Sequence, residues 1–287
     1  MRFDISALLA HLDLELLEVN IFRGASYDIG SGRVFGGQVL AQALAAAGRT
    51  VEPTRVTHSL HSYFILPGDV AAPIVYFVER LRDGKSFTTR RVTAIQHGRA
   101  IFEMSASFHE PEPGIEHQSA MPDVPPPDSL VPDVERLRAL ADRLPERVRA
   151  FWTRERPFDW RTVDPGDPLQ PEPRAPLRYA WFRSNGPLAD APLLLHQTLL
   201  AYASDYGLLA AAMLPHALTF QTPGLQAATL DHAIWFHRPF RLDEWLLYVT
   251  ESPTATGARG FTRGSVFTRD GRLVASMAQE GLLRIRA

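Results

Sequence analysis

Three polar side chains stand where their neighbours are apolar, and they set what chemistry this chain can do. Asp205 lies in LLAYASDYGLLAAAM, where Ala201, Tyr202, Leu208, Leu209 and Ala212 are its helical neighbours at three and four residues or their continuation. An ionised carboxylate buried on that face costs several kcal/mol, to order of magnitude, unless it is partnered. It therefore has dedicated hydrogen bonds, or lines a wet cleft, or sits at a helix edge and reaches solvent or an Arg. Gln279 lies in LVASMAQEGLLRI, where strand alternation groups it with Leu273, Ala275 and Met277 and puts Val274, Ser276, Ala278 and Glu280 on the other face. An amide there is a good interior hydrogen-bonding group. Thr229 opens the stretch TLDHAIWFHRPF and shares a strand face with Asp231 and Ala233; taken alone it reads as a β-former at a strand end.

Gly36-Gly37-Gln38 precedes an expected helix, where free backbone N–H groups and the helix dipole favour negative charge and two glycines allow a ligand oxygen close approach. It reads equally as a tight strand-to-helix turn after Val34-Phe35. The histidines are badly spaced for a metal: His58 and His61 fall on opposite strand faces, as do His232 and His237, so no metal site is expected. There is no cysteine, which removes disulfides, thiolate nucleophiles and Cys-ligated metals. No G-x-S-x-G elbow, phosphate-binding P-loop or dinucleotide glycine fingerprint occurs, and no cofactor is implied.

Elements must position these residues, and the sequence marks them by repetition. At an offset of 172, Thr57, Tyr63, Phe64 and Pro67 fall on Thr229, Trp235, Phe236 and Pro239. HGRAIFEMSASF meets DGRLVASMAQEG at 173, with Gly98, Arg99 and Met104 on Gly271, Arg272 and Met277, and with Ala106 on Gln279. Each half begins with an apolar helix, Gln38 to Ala47 and Ala191 to Leu214, too apolar to lie on a surface. Hairpins follow, with His97-Gly98 and Asp270-Gly271 in their turns; Asp-Gly signals type I′. Proline clusters at 111–133 and 156–176 flank VERLRALADRLPERVRAFW, an amphipathic helix expected to break at Pro145. The expected organisation is a first repeat over 1–112, a Pro-rich connector over 113–175 and a second repeat over 176–287. The fold class is α+β, with an antiparallel sheet wrapped around one long central helix in each repeat.

The 287 residues, 45% apolar and 22% charged, suit a folded globular chain, and 30 basic against 32 acidic residues leave a net charge of −2. Bulk charge offers no case for nucleic acid. No run approaches the length of a membrane span, the start lacks a signal-peptide plan, and RIRA is not a peroxisomal address, so a cytoplasmic protein is expected.

RVFGGQVLAQAL, HSLHSYFILPGD and LDHAIWFHRPFRLDEWLLY resemble the acyl-CoA thioesterase II family of double-hotdog hydrolases, over nearly all of 1–112 and 177–287. The resemblance implies a tandem hotdog, an acyl-CoA substrate and hydrolysis to free fatty acid and CoA without a covalent intermediate. It also implies a homo-oligomer, a dimer or tetramer. By motif context it places an Asp, Thr and Gln set at Asp205, Thr229 and Gln279. Asp205 would be the base or orienter of water, worth about 10² to 10⁴ in rate, while Gln279 and Thr229 hold the water and fix the carboxylate. Gly37, with Gln38 beside it, would supply an N–H to the developing oxyanion. Because Ala106 stands where the second repeat has Gln279, one competent site per chain is expected. A hotdog enoyl-CoA hydratase lacks its D-x-N-P-x-H type motif here, and a non-catalytic acyl-CoA-binding or sensing protein would not need the three polar residues; both remain as alternatives.

Overall fold

The computed structural model describes residues 3–144 and 146–286. The first half runs α1 (Ile5–Leu12), β1 (Glu15–Glu18), β2 (Ile21–Gly24), α2 (Gly36–Gly48), β3 (Val56–Phe64), β4 (Ile74–Asp83), β5 (Phe87–Gln96) and β6 (Arg99–His109). The second holds α3 (Asp133–Ala139), α4 (Glu146–Thr153), β7 (Phe158–Thr162), β8 (Leu177–Ser184), α5 (Leu193–Ser204), α6 (Ala210–Met213), β9 (Leu225–Thr229), β10 (Asp231–Phe236), β11 (Leu246–Thr256), β12 (Arg259–Thr268) and β13 (Leu273–Ile285). The expected break at Pro145 lies outside the described residues.

The strands form one 13-stranded antiparallel sheet in the order β1-β2-β4-β5-β6-β3-β10-β13-β12-β11-β8-β7, with β9 added alongside β13. Read from its middle outward, that order is the same in both halves, as the internal repeat requires. The two halves are joined edge to edge by β3 and β10, with Ala233 opposite His61 and Trp235 opposite Ser59. Neither repeat therefore closes on itself, because each leaves one strand edge that only its copy satisfies. β7 falls inside 113–175, the stretch read as connector, yet it pairs with β8 and completes the sheet. The stretch before it is tied to the second half by Trp181 Nε1, which donates to Pro125 O at 2.9 Å, and by Gln118 Nε2, which donates to Gly271 O at 2.7 Å.

Both hairpins form where expected, but their turns differ. His97 and Gly98 both have positive φ, as type I′ demands. In the other turn only Gly271 does, at φ 88°, and its N–H closes onto Thr268 O; that is the type I turn with a glycine bulge of a longer hairpin loop.

Helix α2 is buried from Gly37 to Ala47, and α5 from His196 to Ser204. The alanines of α2 let the two helices pack on each other, while α2 also rests on β4, β5 and β6 and α5 on β3. They run antiparallel, so the start of α2 meets the end of α5. The expected single helix from Ala191 to Leu214 is two, because Gly207 adopts φ +72°, the left-handed conformation that ends helices, and α6 restarts beyond it. Asp205 is consequently the C-cap of α5 and not an interior helical residue.

Candidate active site at the junction of the two repeats

A helix leaves its first backbone N–H groups without intrahelical partners. At α2 the N-cap is Phe35, whose side chain can accept nothing, so the Gly37 N–H needs an acceptor from elsewhere. It finds Asp205, at the end of the other helix, donating to Oδ2 at 3.0 Å. The glycines are required by that approach. A Cβ on Gly36 would stand 2.7 Å from Asp205 Oδ2, and one on Gly37 2.4 Å from the Tyr202 carbonyl oxygen.

The other carboxylate oxygen is held from the sheet. Thr229 Oγ1 donates to Asp205 Oδ1 at 3.1 Å, and Gln279 Nε2 donates to Thr229 Oγ1 at 3.0 Å. Gln279 is on the inward face of β13 with Ala275 and Met277, as alternation requires, and is 1% exposed. Thr229 arrives differently from expectation: it ends β9, and the break at Leu230 separates it from Asp231, so the two do not share one continuous strand face. The Asp231 carboxylate turns instead to accept the Glu280 N–H at 2.7 Å.

Asp205 is itself walled by aromatic rings. Phe35 packs on Tyr202 and Tyr206, and a Cβ on Gly36 would come within 3.0 Å of Phe64, which places that ring beside the carboxylate. Burial raises the Asp205 pKa to about 7, against the opposing pull of the Thr229 and Gly37 hydrogen bonds. The result is a carboxyl group that exchanges its proton near neutral pH. Each oxygen accepts one hydrogen bond from the protein and keeps a second acceptor site.

Asp205, Thr229, Gln279 and Gly37 are thus brought together, with one change of role. The Gly37 N–H, expected at an oxyanion, is directed at the carboxylate. Gln38 is not in the cluster: its Oε1 accepts the Tyr27 N–H and its Nε2 donates to Ala25 O, both at 3.1 Å, which fastens α2 to the preceding loop.

Sequence reasoning set His232 aside with the other histidines. The structure buries it beside Gln279, with Nδ1 2.9 Å from Gln279 Oε1 and Nε2 2.9 Å from Ser204 Oγ. Burial lowers its pKa to about 4, so the ring is neutral at physiological pH. The signal was present in β10, where alternation aligns His232 with Ile234 and Phe236 on the inward face.

The chain is similar to known proteins in sequence and in fold. A family model described as acyl-CoA thioesterase matches residues 153–282, and one described as acyl-CoA thioesterase N-terminal domain matches 25–109. Acyl-CoA thioesterase 2 of Haemophilus influenzae is 44% identical over 284 residues, covering 98% of both chains. Human acyl-coenzyme A thioesterase 8 is 40% identical, covering 96% of this chain and 88% of its own. The solved acyl-CoA thioesterase II of Mycobacterium marinum is 46% identical and superposes with a TM-score of 0.80 over 98% of this chain and 99% of that one. A hot dog fold protein from Alicyclobacillus acidocaldarius, 21% identical, superposes at 0.77 over 98% of this chain and 99% of its own and shares the fold.

Proposed function

The chain belongs to the acyl-CoA thioesterase II family and hydrolyses acyl-CoA thioesters, and on that premise we propose that Asp205 is its general base, with Thr229, Gln279 and Gly37 holding that carboxylate. A water attacks the thioester carbonyl while an open acceptor site on Asp205 takes its proton. The tetrahedral intermediate collapses by breaking the C–S bond, and the proton on Asp205 passes to the departing CoA thiolate. Free fatty acid and CoA leave, and the carboxylate is regenerated.

The observation that carries this reading is the grip on Asp205: two donors fix it, from Thr229 and Gly37, while its pKa of about 7 matches a base working near neutral pH. Thr229 and Gln279 act in line, because the amide donates to the hydroxyl and the hydroxyl to the carboxylate. We assign the two repeats to 1–112 and 176–287, the second taking β7 from the connector as its outermost strand, as hotdog units in tandem around α2 and α5.

Thiol release from acyl-CoA substrates of C4 to C18, followed for wild type and Asp205→Asn, tests the assignment. A loss of about 10² or more in kcat for the variant is expected at every chain length the wild type accepts. Turnover preserved in Asp205→Asn removes Asp205 as the base.

A further inference from the structure

We propose that His232 is a positioning residue for the reaction, whose Nδ1–H fixes the Gln279 amide so that Thr229 directs its single hydroxyl hydrogen onto Asp205. The inference rests on the reading of Asp205, Thr229 and Gln279 as the catalytic set and extends it inward by two residues.

The argument is one of counting hydrogens. A threonine hydroxyl has one hydrogen, and an amide has an acceptor end and a donor end. With the Nδ1–H of His232 given to Gln279 Oε1, the amide presents Nε2 to Thr229, and the Thr229 hydrogen is left for Asp205. With the proton on Nε2 instead, Nδ1 and Gln279 Oε1 would meet lone pair to lone pair. The amide would then turn over, its Oε1 would claim the Thr229 hydrogen, and Asp205 Oδ1 would lose its donor.

The surroundings hold His232 in place for this task. Ser204 Oγ stands 2.9 Å from both the far ring nitrogen and the Ala201 carbonyl oxygen, so the Nδ1–H tautomer is set by Gln279 Oε1 at Nδ1, and the Ser204 hydrogen turns to Nε2 to match it. The Ser204 carbonyl accepts from Tyr248 OH at 2.9 Å, and the His232 carbonyl accepts from Ser62 Oγ, from the first repeat, at 2.8 Å. His232, Ser204 and Gln279 are each 1% exposed, so the imidazole has no route to substrate and acts only through Gln279.

The charged and titratable groups around this corner are few. Tyr202, Tyr206 and Tyr248 have hydroxyls pushed up by burial and stay neutral, with Arg156 and Arg178 behind them. Asp231, at the start of β10, accepts the Glu280 N–H, and its pKa is raised by burial and by the Glu280 charge. None of these donates to Asp205 in place of Thr229, so loss of the Thr229 hydrogen moves the acid limb of activity upward.

The test compares His232→Asn, whose Nδ2 stands near the place of the ring Nδ1, with His232→Gln, whose amide reaches toward Ser204 instead. Thiol release against pH is followed for both in the full-length protein, with Gln279→Ala alongside and thermal melts for each. His232→Gln is expected to lose about tenfold in kcat with KM little changed and to shift its acid limb to higher pH, while His232→Asn recovers most of the rate and the wild-type limb. Equal losses in the two variants, with the limb unmoved, overturn the proposal. The tautomer is read independently on wild type by nitrogen-15 NMR of the imidazole: Nδ1–H is expected, and Nε2–H overturns the proposal without any variant having to fold. Wild-type turnover in Gln279→Ala places the failure in the catalytic reading itself.

Discussion

A carboxylate at the end of its own helix is in the wrong place for stability. The C-terminus of α5 presents the negative end of a dipole to Asp205, and burial adds a second penalty. The start of α2 and Thr229 return part of it, yet the balance leaves the pKa raised to about 7. The folded protein therefore holds a proton that the unfolded chain has already released between about pH 4 and pH 7. Across that window stability falls as pH rises. Asp205→Asn removes the titration, and one amide can accept from Gly37 and donate to Thr229. The variant should melt higher than wild type at pH 8, with the gap closing as pH falls through 7 towards 4. A gap independent of pH in calorimetric melts would show that Asp205 is not buried as a charge. The same pKa places the acid limb of kcat/KM for the free enzyme near pH 7, with activity rising as Asp205 ionises. A flat profile from pH 5 to 8 contradicts it.

At the scale of elements, legibility depended on whether a period ran uninterrupted. Gln279 is on the inward face because β13 runs unbroken from Ala275 through it, whereas the bulge at Val274 turns Leu273 to the other side, so the parity holds from Ala275 and not from Leu273. Parity failed for Thr229 because Leu230 interrupts the strand. The apolar run from Leu193 to Leu214 hid a helix end because hydrophobicity continues through Gly207, and only the glycine's left-handed φ reveals the stop. His232 is legible by the same alternation as Gln279, but the spacing of the histidines bears only on metal binding and carries no sign of a hydrogen-bonding role. The Gly36-Gly37 pair was correctly found at a helix start, and its partner was beyond local sequence, since Asp205 comes from the other repeat. That partnership separates the two glycines experimentally. Gly36→Ala puts a methyl against a movable carboxylate oxygen and should cut kcat by tenfold or more with a small change in melting temperature. Gly37→Ala drives a methyl into the Tyr202 backbone carbonyl, which cannot swing aside, and should cost about 1–3 kcal/mol as the helices separate. Denaturant unfolding beside thiol release distinguishes the two, and similar stability losses in both would contradict the assignment of Gly36 to the carboxylate.

On the scale of the whole molecule, the α2–α5 pair has two related junctions, one at each end, and the Asp205, Thr229 and Gln279 cluster stands at one of them. The junction at the other end of the helix pair is the end of α2 against the start of α5. There the α2 C-cap is Arg49, not an acid, and its guanidinium donates to Leu14 O and Asp13 Oδ1. A cation suits the negative end of a helix, so this end is stabilised where the end of α5 is strained. Opposite it, α5 starts with Leu193 and Leu194 where α2 has its glycine pair, and a Cβ on Gly48 would lie 2.4 Å from the Leu194 side chain, which occupies the space a carboxylate would need. Ala106, 1% exposed, fills the place of Gln279. Three differences separate this junction from a working site: its acid, its helix start and its amide. Restoring one should restore nothing. Ala106→Gln in an Asp205→Asn background is expected to release thiol no faster than Asp205→Asn alone, and Ala106→Gln by itself should leave kcat within about twofold of wild type unless the added bulk strains the core. Recovery of hydrolysis in the double variant would mean that Arg49 and Leu194 do not block the first-repeat junction, and that the chain holds a second latent site.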